Sequence, residues 1–205
     1  LVFFMVSGLA GLKAQTENFN TWIEFEFCKE IGDKLEFSIT PEIRLEDQYK
    51  LDEYMVQGKL EYEPFSFFDL AGAYRINTEV KNKGNETYYR WAFDAQLQQD
   101  IGRFESSLRG RLTNFTESSD EDPGTYLRPR LKVEYDIKNN KIRPYVSFEL
   151  FRNLSEKELH KWRFDAGATR NLGDIHRIGL YYRLHDYFTD KKSVHIMGIE
   201  YRMKF

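Results

Sequence analysis

From Asn18 to the last residue, Phe205, polar and apolar residues alternate with a period of two, and no stretch carries the 3.6-residue period of a helix that would cover an apolar sheet face. In YLRPRLKVEYDIKNNKIRPYVSFELF, Tyr126 to Phe151, the residues Arg128, Arg130, Lys132, Glu134 and Asp136 fall on one side of an extended strand. Leu127, Leu131, Val133, Tyr135 and Ile137 fall on the other. The same two-faced pattern recurs in KLEFSITPEIRLE, EYMVQGKLEYE, FFDLAGAYRIN and YYRWAFDAQLQ, and again from Phe104, Trp162 and His176 onward. About eleven such segments of roughly ten residues result, each long enough to cross a bilayer at a tilt. Bacterial barrels of one chain normally have an even number of strands, so an odd count predicts either a missed or split strand, or a segment Asn18 to Glu30 that behaves differently.

The connections fall into two kinds. IGDK at 31–34, EPFSF after Tyr62, DIGR at 100–103, KNNK at 138–141 and NLGD at 171–174 have the Gly, Asn and Asp content of tight turns. NTEVKNKGNET, TESSDEDPGT, SEKELHK and FTDKKS are longer and polar. Short turns alternating with long loops predict an all-β transmembrane antiparallel barrel of 10–12 strands, with short periplasmic turns and longer outer loops. Pro41, Pro129 and Pro144 fall within predicted strands, where each removes a ladder hydrogen bond unless a bulge accommodates it.

A secreted β-sandwich also alternates, but its inward face is mostly aliphatic and its strands are shorter. Here the apolar face is rich in aromatic residues, drawn from 13 Tyr, 17 Phe and 3 Trp, as an interfacial girdle would be. The chain also ends on an alternating strand with a terminal aromatic, IEYRMKF. A mean hydropathy of -0.64 is compatible with a barrel, because only every second strand residue faces lipid. The leading LVFFMVSGLAGLKAQ is expected to be a truncated secretory signal, residues 1–14, with the barrel occupying 15–205 in the bacterial outer membrane. The expected partners are outer-membrane lipid and the barrel-assembly machinery. A net charge of -3 with interleaved signs argues against nucleic acid. The lone Cys28 cannot staple a fold or build a multi-cysteine metal site.

Trp22 with Glu24, PEIRLED at 41–47, LDEY at 51–54, GAYR at 72–75, the Tyr126 to Phe151 hairpin and the closing HIMGIEYRMKF together resemble an uncharacterised outer-membrane barrel family, catalogued as a domain of unknown function. The resemblance covers nearly the whole of 15–205 and is most specific in the hairpin. It implies a barrel in a Gram-negative outer membrane and brings no activity or catalytic residue.

In a barrel the charged faces point into the lumen. Early strands supply mainly acids, among them Glu42, Glu53 and Glu61; later strands supply mainly bases, among them Arg109, Arg111, Arg128, Arg130 and Arg183. These eight residues are the candidate lumen lining, an acidic wall facing a basic one. Standing apart across water, the walls would impose a transverse field on polar or zwitterionic solutes in a small channel. Meeting across a narrow lumen, they would form an ion-pair plug and leave a structural or interaction barrel. The channel is the preferred expectation. A barrel-borne hydrolase is the weakest of the three: no GxSxG motif is present, His160 reads as a loop residue, and His185 beside Asp186 reads as a rim histidine. No catalytic residue, cofactor or metal is expected, since DEDPG at 120–124 lacks the EF-hand ligand spacing.

Overall fold

The computed structural model describes residues 16–114, 124–188 and 192–205. The predicted signal segment and residues 120–123 of DEDPG lie outside them. Eleven strands run in sequence order: β1 Thr16–Ile31, β2 Leu35–Glu46, β3 Lys50–Phe65, β4 Phe68–Glu79, β5 Glu86–Ile101, β6 Phe104–Thr113, β7 Tyr126–Tyr135, β8 Ile142–Asn153, β9 Glu158–Leu172, β10 His176–Tyr187 and β11 Lys192–Lys204. Each pairs antiparallel with the next, and β1 closes on β11, so the sheet has no free edge. From strand spacing and tilt, an eleven-stranded cylinder is about 20 Å across between backbones.

The strand number is odd, and no strand was missed or split. An up-and-down meander of eleven strands brings the last strand parallel to the first. The seam between β1 and β11 is accordingly a parallel ladder, in register from Thr16 opposite Lys192 to Cys28 opposite Lys204. The segment Asn18 to Glu30 is thus the one that behaves differently. Closure satisfies both outer edges, which outweighs the slightly weaker bonding of a parallel pair.

All five tight turns lie at one end of the barrel with the C-terminus, and the four longer connections lie at the other end with Thr16. The turn between β5 and β6 shows why composition marked the tight set. Ile101 pairs with Phe104, leaving Gly102 and Arg103 as a two-residue loop, and Gly102 has φ +66°. A positive φ at the first central position is the II′ arrangement that glycine adopts without strain. A fifth connection at the long-loop end, the short 3-10 turn Asp47–Tyr49, was not anticipated. Its Gln48 and Tyr49 both take positive φ without glycine, so composition gave no signal.

The alternation predicts the two faces correctly. Leu60, Leu108, Leu131, Val146, Leu180 and Ile199 lie on the outside and are exposed, while Arg44, Glu53, Arg128, Glu149 and Arg163 lie inside and are buried. Outward aromatics are spread along the strands, with Tyr74 stacked on Tyr89 and, at the tight-turn end, Phe104 against Tyr135. None of the three prolines sits at a bulge: the register shifts fall at Arg44/Leu45, Tyr62/Phe65 and Phe151/Arg152. Pro129 instead coincides with a gap in the β7–β8 ladder, between Leu127 and Arg130.

Several inward positions are aromatic, which a rule of charge inside and apolar outside does not anticipate. Tyr181 is one; its ring occupies the space that a Cβ on Gly198 of the seam strand would need. Gly198→Ala is therefore expected to destabilise the barrel by about 1–3 kcal/mol through overpacking. Urea unfolding in detergent, followed by tryptophan fluorescence, measures it. An unchanged midpoint would mean the Tyr181 ring swings aside at no cost.

Candidate functional site: a layered, charged lumen

The inward side chains meet in a layer beneath the longer connections. Arg44 on β2 donates from Nε to Glu42 Oε1 and from Nη1 to Glu53 Oε2, both at 2.7 Å. Glu53 Oε1 also accepts from Asn77 Nδ2 and from the Tyr88 hydroxyl, each at 2.6 Å. The Arg44 guanidinium lies 3.8 Å from the centre of a Trp22 ring, and Arg183 approaches the same indole at 5.0 Å. The His185 ring stands nearly perpendicular to Trp22, with ring centroids 5.9 Å apart. Arg163 Nε donates to His185 Nε2 at 2.9 Å, so that nitrogen acts as acceptor.

From Arg163 the layer continues to Glu149, which is fully buried. Its two oxygens take hydrogen bonds from Arg109 at 2.7 Å, Arg128 at 3.2 Å and Arg163 at 3.1 Å. The Phe151 ring lies among Arg128, Arg163 and Lys161, with centroid distances of 4.1, 5.1 and 5.0 Å. Cation–π and ion-pair contacts thus link side chains of β1–β10 across the interior. In a low dielectric such a network is rigid only if each charge is answered.

Trp22 and Arg44 form a shared wall between two cavities. Above them, toward the longer connections, a vestibule of about 310 Å³ is lined by Asn18, Asn20, Glu46, Asp52 and Lys192 among others. Below them is an inner chamber of about 250 Å³. Its seam side carries Glu24, Glu42 and Glu200, and its far side carries Arg109, Arg111, Arg128 and Arg130. Further toward the tight turns, Arg202 pairs with Glu36 at 2.5 Å and donates to Cys28 Sγ at 3.1 Å.

All eight residues expected to line the lumen are on strand faces that point inward. Glu42 and Glu53 belong to the Trp22–Arg44 layer, and Arg109, Arg111, Arg128, Arg130 and Arg183 border the inner chamber. Glu61 lies nearer the tight turns, bonded by Lys59 at 2.8 Å. The acid-rich sector is not uniformly acidic, because Arg44 and Arg75 reach into it; Arg75 Nη1 bonds Glu42 at 3.1 Å. Other pairs form along the wall: Arg111 grips Asp94 through two bonds of 2.7 and 2.6 Å, and Arg183 Nε bonds Asp165 at 2.7 Å. Three residues central to the layer, Trp22, Arg44 and Glu149, were not among the eight lumen candidates read from sequence. Following the alternation of β8 back from Arg143 through Ser147 would have put Glu149 inside, but not beneath three arginines.

Two histidine expectations are corrected. His185 is buried within the layer and is not at the rim, and Asp186 points to the opposite face, where it accepts from the Ser193 hydroxyl at 3.3 Å. His160 belongs to β9 and not to a loop, edge-on to Tyr126 and Tyr187. His176 and His195 bond the hydroxyls of Tyr201 and Tyr182 at 2.8 and 2.6 Å. No three metal-capable side chains come together among the described residues.

A closed sheet of eleven strands whose interior is a graded lattice of carboxylates, guanidiniums and aromatic rings defines the molecule as a charge-filled β-barrel. A family model matches residues 19–194, and the chain belongs to that family, DUF2490, described as a protein of unknown function. No curated protein and no solved structure matches the chain.

Proposed function

We propose that this chain is an integral outer-membrane barrel whose narrow lumen is a gated channel for small polar or charged solutes, with tight turns in the periplasm and longer connections outside. The outward apolar belt of aliphatic and aromatic side chains and the sorting of connections by length support the membrane setting. The observation that carries the channel reading is the pair of polar cavities on either side of one thin wall, Trp22 with Arg44. A barrel evolved only as a plug has no need of two chambers that share a removable side-chain partition.

The partition sets the expected behaviour. Wild-type protein in a planar bilayer should show small, infrequent current steps. Trp22→Ala removes the indole but leaves Arg44 held by Glu42 and Glu53, and it should raise conductance several-fold or lengthen the open time. A plugged structural barrel is the second reading, favoured by the complete burial of Glu149 among its arginines. Silence from both proteins, each verified as folded and inserted, would decide for the plug.

A further inference from the structure

We propose that Glu24 and Glu200 share one proton across the β1–β11 seam, so that the closure of the barrel responds to pH. The two residues are direct partners in the parallel ladder, and both side chains border the inner chamber. Neighbouring strands lie about 4.8 Å apart, so the two carboxyl groups are within reach of one another. Neither makes a hydrogen bond or an ion pair among the described residues. The groups that face them are Glu42 on β2, Arg75 on β4, Lys132 on β7, Tyr145 on β8, and Arg177, Tyr181 and Arg183 on β10, with Glu26 and Arg202 next on the same face of the seam. The cations in this set are bonded elsewhere: Arg75 to Glu42 at 3.1 Å, Lys132 to Glu134 at 3.0 Å, Arg177 to Asn171 at 3.0 Å, Arg183 to Asp165 at 2.7 Å and Arg202 to Glu26 at 3.3 Å.

Like charges directly opposite one another weaken a ladder, and this is the parallel ladder that closes the barrel, the pairing type with less stability per residue. One proton taken from solvent reverses the contact. The protonated carboxyl donates its O–H to the ionised one, a charge-assisted hydrogen bond that ties β1 to β11. The place of Glu200 is built into the wall: it lies over Gly179, its partner on β10, and a Cβ there would collide with the Glu200 carboxylate. A proton suits the pair better than a metal ion, because no group of three metal-capable side chains forms among the described residues. With the proton the pair carries one negative charge and without it two, so the seam side of the chamber changes charge with pH whether or not the lumen conducts.

The test uses the full chain refolded in zwitterionic detergent. Infrared difference spectra should show the carbonyl band of a protonated carboxyl at neutral pH, lost at alkaline pH and missing from both Glu24→Gln and Glu200→Gln. The melting temperature of the wild type should rise by about 2–4 °C from alkaline to neutral pH, the worth of one net hydrogen bond in a chain of this length. In each variant the amide replaces the shared proton, so the variant should melt no lower than wild type at alkaline pH and show no such rise. If one variant fails to fold, the other carries the same expectation. Glu105→Gln, near the tight turns, should respond as wild type does. Wild-type protein without the band at neutral pH, or a band and a rise that persist in the variants, would overturn the shared proton. So would calcium that raises the melting temperature at alkaline pH in the wild type alone, since a cation would then sit between the carboxylates. None of these readouts is a conductance, so the channel reading stands or falls separately.

Discussion

Glu149→Gln is expected to destabilise the folded barrel by about 3–5 kcal/mol, the range for stripping one partner from a buried charge cluster. The reason is local stoichiometry. One largely buried carboxylate accepts from Arg109, Arg128 and Arg163, so deleting its charge removes an ion pair from three guanidiniums at once. Glutamine preserves the shape and one acceptor oxygen, so the loss reports charge and not a cavity. The urea midpoint in detergent, checked by heat-dependent gel mobility, measures it. A loss under about 1 kcal/mol would mean that water reaches the cluster and that the layer is a hydrated wall and not a partition.

The second large effect lies on the outside. Leu131 of β7 pairs with Leu108 of β6 midway along the barrel, and both are about half exposed. In a bilayer Leu131→Arg should cost about 2–4 kcal/mol, the penalty for a cation near the midplane on the lipid face of a barrel. If that face were in water, the same change would be nearly neutral. Reversible folding into phospholipid vesicles, compared between wild type and variant, separates the two. A neutral result would overturn the membrane setting itself, whatever the lumen does.

Much of the architecture was legible because a strand's side-chain period is an intrinsic property of extended backbone. Once the alternation placed Arg128 opposite in direction to Leu127, every inward and outward position of that hairpin followed. Turns were legible for a similar reason: the positive φ at Gly102 is a demand that composition displays. The turn after Glu46 was missed because Gln48 and Tyr49 meet the same demand with residues that do not advertise it. The inward rings of Trp22, Phe151 and Tyr181 were not anticipated, because their role is to face cations from other strands, as Phe151 faces Arg128.

By itself, then, the sequence determined the class of fold, the alternation of side chains along each strand and the five tight turns rich in Gly, Asn and Asp. Those depend on interactions within a strand or between immediate neighbours. The parity of closure, the parallel seam between β1 and β11, and the layer that joins Trp22 to Arg44 and Glu149 to three arginines were decided only by the tertiary structure. Alternation says that a side chain points inward, but not its height or what it meets there. Those depend on how the sheet curves shut, which brings together charges that are distant along the chain and leaves each carboxylate to the guanidiniums within its reach.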